Sequence, residues 1–234
     1  KAPTAPLCKR ASETDSVAIK DDVFFKGAYI QLGINRHAYC GTHAKVPVSR
    51  GWVKTSHMNT GLCAIADPHK DGWNRRPDGK KDNFHGPFTV PGSPQEAWVI
   101  GYYQSGSRKI SDFGRAGFRD PNGFKCTIKD QTNKAAGQLG ATSVCKNSAL
   151  EVTHVIGFAA CDTAVNWDVT VKALTGGITN VVYLRNLDPD NDLESKGASR
   201  SRTFVTRNTI LGQISTGSKY SLVAATSTVG TDSF

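Results

Sequence analysis

The clearest alternation of apolar and polar positions lies in the last third of the chain. In NWDVTVKAL at 166–174, Trp167, Val169, Val171 and Ala173 alternate with Asp168, Thr170 and Lys172. That is the period-two signature of a strand with one buried face. EVTHVIGF at 151–158, ITNVVYLRNL at 178–187, SRTFVTRNTI at 201–210 and YSLVAAT at 220–226 also read as strands. Gly176–Gly177 is a turn signal and predicts a hairpin of 166–174 with 178–187. Short strands at close spacing, separated by turns, predict a β-sandwich.

Upstream the pattern is looser. GAYIQLG at 27–33, EAWVIGYY at 96–103 and GFKCTIKD at 123–130 are strand candidates rich in aromatic and β-branched residues. Residues 34–94 carry glycine and proline at short intervals, interrupted by Trp52, Trp73, Phe84 and Phe88, and predict a long decorated loop region. KAAGQLGATS at 134–143 predicts one short helical turn, and no window sustains a helical period. Pro3 and Pro6 keep the first residues out of helix, and Val17, Ile19, Phe24 and Phe25 then bring apolar side chains into a polar stretch. The expected organisation is an extension over 1–26, able to serve as an edge strand of its own sheet or as an exchanged strand. A loop-rich β domain over 27–149 and an immunoglobulin-like sandwich over 150–234 follow. The fold class is all-β: two sandwich-like units of jelly-roll or immunoglobulin type, stabilised by disulfides.

Charge divides the chain unevenly. The 234 residues carry a net +9, yet residues 1–150 hold 22 basic and 12 acidic side chains while 151–234 hold 7 and 8. The bases are dispersed among acids and form no basic helix or nucleic-acid motif, so a nucleic-acid partner is not expected. The asymmetry points to an acidic glycan, a cell surface or a neighbouring subunit. No apolar run is long enough to span a bilayer as a helix. The opening at Lys1, without Met or an apolar leader, reads as a mature N-terminus.

Six cysteines, Cys8, Cys40, Cys63, Cys126, Cys145 and Cys161, show no C-x-x-C spacing. An even count at wide spacing fits three disulfides in an oxidising compartment. Six cysteines allow fifteen pairings. The set Cys40–Cys63, Cys126–Cys145 and Cys8–Cys161 closes short loops first and ties down the N-terminal tail.

Candidate chemistry is sparse. Asp188, Asp190 and Asp192 alternate in DPDND, a carboxylate spacing that can wrap Ca²⁺, although Leu193 and Ser199 stand where an EF-hand loop needs Gly and Glu. As plain structure the same segment is a polar turn. Trp52 and Trp73 are candidate stacking platforms for sugar rings, with Arg75 and Arg76 beside Trp73 for an acidic glycan. Five of six histidines fall between His37 and His85, without metal-binding spacing. No G-x-S-x-G or phosphate loop occurs. A hydrolase would centre on Glu96, one of only two glutamates in the first 150 residues, and nothing singles out its partner.

Two stretches carry a resemblance. GWNRRPDGKKDNFHGPFTVPGSPQEAWVIGY at 72–102 and VNWDVTVKALTGGITNVVYLRNLDPDND at 165–192 resemble parts of uncharacterised secreted or surface-anchored microbial β-sandwich proteins. The second is also similar to the sandwich modules of bacterial surface stalks. The resemblance implies extracellular β-structure with a surface or matrix role and no catalytic residues. The expected function is an extracellular structural or adhesive protein, self-associating into fibrils by strand addition or head-to-tail contacts. The alternatives are a lectin-like, calcium-dependent glycan-binding module and, third, a polysaccharide hydrolase.

Overall fold

The computed structural model describes residues 14–50, 52, 62–64, 85–89, 95–114, 120–162, 164–188, 201–206 and 209–215. Among them the fold is all-β. Fourteen described strands form four antiparallel sheets, and two three-residue 3-10 turns are the only helical elements among the described residues.

β1 (Asp15–Ile19) and β2 (Asp22–Lys26) are joined by Lys20 and Asp21, and Lys20 takes a positive φ of 56° that closes the hairpin. β3 (Ile30–Asn35), β4 (Leu62–Ala64) and β5 (His85–Thr89) complete a five-stranded sheet in sequence order. Of the segment 1–26 expected as an extension or exchanged strand, residues 15–26 form the edge hairpin of this sheet, and residues 1–13 lie outside the described residues. β2 is covered on both faces, which explains its unbroken apolar run. Phe25 packs edge-on to Phe158 with ring centroids 6.1 Å apart, and Phe24 packs with Val46 and Trp52 on the other side.

A four-stranded sheet runs in the order β11-β10-β9-β8 (Asn166–Ala173, Leu150–Ala159, Gln138–Lys146, Lys125–Asp130). Its inward residues alternate strictly along β9 and β10. One half of that face, Leu139, Ala141, Ile156 and Phe158, packs on Val23, Phe25, Leu32 and Ile34 of the five-stranded sheet. The other half, Cys145, Leu150 and Val152, packs on Trp98, Ile100 and Phe113. Those last three belong to a three-stranded sheet, β12-β6-β7 (Ile178–Asp188, Gln95–Gln104, Ser107–Phe113). β13 (Ser201–Thr206) and β14 (Thr209–Ser215) pair only with each other.

Several expectations change. β11 and β12 are not a hairpin: β11 pairs with β10 and β12 pairs with β6, so the Gly176–Gly177 turn passes the chain from one sheet to another. Asn180, with φ 49°, sits where the β12–β6 register shifts, between Thr179 and Val182. The boundary expected between 149 and 150 falls inside a sheet, because β9 pairs with β10 across it. The helical turn expected at 134–143 is a 3-10 turn at Lys134–Ala136, capped by Asn133 and ended by Gly137 in the left-handed conformation. The rest of that stretch is β9. The strand expected at 201–210 is a hairpin, and 220–226 lies outside the described residues.

Cys126 and Cys145 face each other in the β8–β9 register and form a disulfide, which fits an oxidising compartment. Cys161 is disulfide-bonded as well. Cys8 and the side chain of Cys63 lie outside the described residues. The expected Cys40–Cys63 bridge is not formed, and Cys40 carries a buried thiol. Cys40 bridges β3 at Ile34, whereas Cys63 is opposite Gln31. Three strand positions are about 10 Å, beyond the reach of a disulfide. No described helix is long and apolar enough to cross a membrane.

Candidate functional site: a polar junction beneath an open sheet face

The inner face of the three-stranded sheet meets the other two sheets at a polar junction. β6 places Glu96 and Trp98 there, β12 places Tyr183 and Arg185, β10 contributes His154, and residues 35–41 turn out of β3 into the middle. Glu96, 4% exposed, is ion-paired to Arg185 Nε at 2.5 Å and accepts the Cys40 backbone N–H at 2.8 Å through Oε2. Arg185 also donates to the Ala38 carbonyl at 3.0 Å and to the Tyr183 hydroxyl at 3.2 Å, and its guanidinium lies 3.7 Å from the Trp167 ring centroid. That stack is a cation–π contact across sheets.

The turn is held from every side. Trp98 Nε1 donates to the His37 carbonyl at 2.6 Å, and Ser143 Oγ donates to the Arg36 carbonyl at 2.6 Å. Asn35 accepts the His37 N–H and donates to the carbonyls of Tyr39 and Gly41. These bonds hold Ala38 at a positive φ of 58°, a conformation a non-glycine residue keeps only when its surroundings fix it.

Burial sets the protonation states. His154 is fully buried, its Nε2 3.1 Å from the Tyr183 hydroxyl, and desolvation aided by the Arg185 charge lowers its pKa to about 3. Desolvation likewise raises Tyr183 to about 12. Burial is the largest single influence and works against the Arg185 charge, but Glu96, Tyr183 and Cys40 together outweigh it and the pKa stands above the ordinary arginine value. At neutral pH the junction thus holds one ion pair, a neutral imidazole and a neutral phenol. Both Glu96 oxygens face fixed partners inside the protein. This is the geometry of a structural clamp rather than of a solvent-facing acid.

The outer face of the same sheet is open. Val182 and Leu184 on β12 are 51% and 61% exposed, and Tyr103 on β6 and Ile110 on β7 are exposed too. Val182, Gly101 and Ile110 lie in one cross-strand row, and the glycine leaves the row shallow at its centre. The two edges of this sheet differ. β7 carries Arg108 and Lys109, whereas the outward positions 180, 182 and 184 of β12 are Asn, Val and Leu. Among the described residues no strand pairs with the outer edge of β12.

The sequence-derived candidates are scattered. Trp52 is 2% exposed, with Nε1 donating to the Phe25 carbonyl and Lys26 and Arg50 flanking its ring at 5.3 and 5.8 Å. It is core, and its ring offers no open face for a sugar. Trp73, Arg75 and Arg76 lie outside the described residues. Asp188 is the last residue of β12, opposite Gln95, while Asp190 and Asp192 lie outside the described residues. No cluster of three metal-ligating side chains occurs among the described residues. Arg185, Tyr183, His154 and Leu184 carry the junction and the open face, and none was singled out from sequence. Only the alternation of ITNVVYLRNL hinted that its two faces differ. No family model, curated protein or solved structure matches the chain.

Proposed function

We propose that the chain is an extracellular structural or adhesive subunit that associates with copies of itself. One observation carries this reading: among the described residues β12 is an edge strand of eleven residues, and its apolar Val182 and Leu184 stand in solvent. Soluble monomers usually guard such an edge with lysine, proline or a covering segment, because its unpaired backbone groups are a template for another strand. The bulge near Asn180 interrupts the edge only at its start, leaving Val182–Asp188 regular. The disulfide supports an oxidising, extracellular setting. The packing of the four-stranded sheet against two others supports a sandwich-like architecture in which two units share one sheet. The glycan-binding alternative loses one of its two proposed stacking rings with Trp52 in the core.

The test is the mass distribution of the purified chain by light scattering and electron microscopy from low to high micromolar concentration. Concentration-dependent oligomers or filaments are expected. A monomer of 25.1 kDa throughout overturns the reading.

A further inference from the structure

We infer that the outer face of the four-stranded sheet binds a linear anionic polysaccharide laid across its strands. This face belongs to a different sheet from Val182 and Leu184, and its ligand does not depend on self-association. The alternation that buries one side of β8, β9, β10 and β11 turns the other side outward. The strand registers then set the outward side chains in cross-strand rows. The first row is Lys172, Glu151, Lys146 and Lys125. Thr170, Thr153, Val144 and Thr127 form the second, and Asp168, Val155, Thr142 and Lys129 the third. With about 4.8 Å between strands, each row spans about 14 Å. All four lysines are exposed, and so is Val155 between them.

Charge and hydroxyls select the ligand. The four lysines stand against two outward carboxylates, Glu151 and Asp168, and the excess gathers on β8 and β9. Asp130, at the end of β8, alternates to the other side of the strand and accepts the Thr132 N–H. Lys125 and Lys146 lie directly opposite each other, a like-charge pair that repels within the protein and is relieved by a bound anion. Among the described residues the one ion pair on this face is Lys146–Glu151 at 3.5 Å, with the lysine side chain 56% exposed, and such a pair holds its charges weakly. The face has no arginine to grip phosphate with two parallel bonds and no outward aromatic ring for a base to stack on, which disfavours polyphosphate and nucleic acid. Its threonines instead supply hydroxyls that both donate and accept, as sugar hydroxyls do. Lysines spaced between hydroxyls on a flat sheet fit carboxylates or sulfates spaced along a sugar chain.

The experiment measures binding of the full chain to polygalacturonate and to dextran sulfate by calorimetry, with neutral dextran, polyphosphate and single-stranded DNA as comparisons. Binding to at least one of the two anionic polysaccharides is expected, and their order tells a carboxylate ligand from a sulfate one. Affinity is expected to fall about tenfold or more between about 0.05 and 0.5 M salt, as screening shortens the reach of the lysines. A variant combining Lys125→Gln, Lys129→Gln and Lys146→Gln is expected to lose at least tenfold in affinity at an unchanged melting midpoint. Lys20→Gln, on the β1–β2 turn, is expected to bind like the wild type. Acetylation of the wild type, read by mass spectrometry, needs no variant: bound polysaccharide is expected to shield Lys125, Lys129, Lys146 and Lys172 and to leave Lys20 reactive. The proposal is overturned by the absence of binding to both anionic chains, by a triple variant that binds like the wild type, or by shielding that misses these lysines. Equal or tighter binding to neutral dextran, polyphosphate or DNA overturns it too. The oligomeric state, measured without polysaccharide, remains the separate test of self-association.

Discussion

Arg185 brings a full positive charge to the meeting point of three sheets, and Glu96 is what makes that tolerable. Removing one partner of a buried pair leaves the other charge uncompensated, at a cost of about 3 kcal/mol or more. Glu96→Gln is expected to lose that much in urea denaturation. Glu96→Leu with Arg185→Met is expected to recover most of it, leaving about 1 kcal/mol because the Cys40 N–H loses its acceptor. His154 gives the second prediction at this scale. Its folded pKa of about 3 lies below its ordinary 6.5, so the unfolded chain takes up the proton first as pH falls. Stability is therefore full above pH 6.5 and lost toward pH 3, by about 1.4 kcal/mol per pH unit for this imidazole. His37, lowered to about 4 by burial and then by the Arg36 charge, adds in the same direction. Denaturation between pH 6 and pH 5 is expected to steepen accordingly, and His154→Phe is expected to remove about one proton from that slope. Sequence marked Glu96 for its rarity alone. Its partner stands 89 positions later on another strand, a distance no local pattern spans.

Strands with bulky alternating side chains announced themselves, and strands built from small ones did not. β11 reads plainly because Trp167, Val169 and Val171 alternate with polar residues. β9 hides because its inward set is Leu139, Ala141, Ser143 and Cys145, small enough to mimic a helix-forming stretch. Those residues are small on the one face of the sheet that packs against two others. Close packing elsewhere fixes Gly114, just past β7, where a Cβ would lie 2.6 Å from the Ala97 Cβ. Gly114→Ala is expected to cost about 2 kcal/mol in chemical denaturation, because a backbone-anchored Cβ cannot move aside. Between β8 and β9 the Cys126–Cys145 bridge closes 19 residues. Replacing both cysteines by serine is expected to cost about 3 kcal/mol by the loop-entropy estimate, read as a lower melting midpoint.

At the scale of the molecule, the all-β class of the described residues was legible and partnership between strands was not. Alternation tells a strand which residues to bury. It does not say which sheet the strand joins, so β11 and β12, adjacent in sequence, end in different sheets. The open face was hidden for the same reason: Val182 and Leu184 look like core until β6 is known to lie beside them and both side chains to be exposed. The turn at 35–41 has a further consequence, for the order in which the chain assembles. Its clamping bonds join positions separated by 56, 61, 107 and 147 residues, and the longest reaches Arg185. On a ribosome, the strands of both the five-stranded and the four-stranded sheet are synthesised while the Ala38 carbonyl still waits for its donor. Long-range closures of this kind come late, since the chain entropy must be given up before the contacts form. Glu96→Gln is accordingly expected to speed unfolding while leaving the refolding rate within about twofold, measured by stopped-flow fluorescence. The junction would then act as a latch set after the sheets are built, guarding the finished subunit against opening.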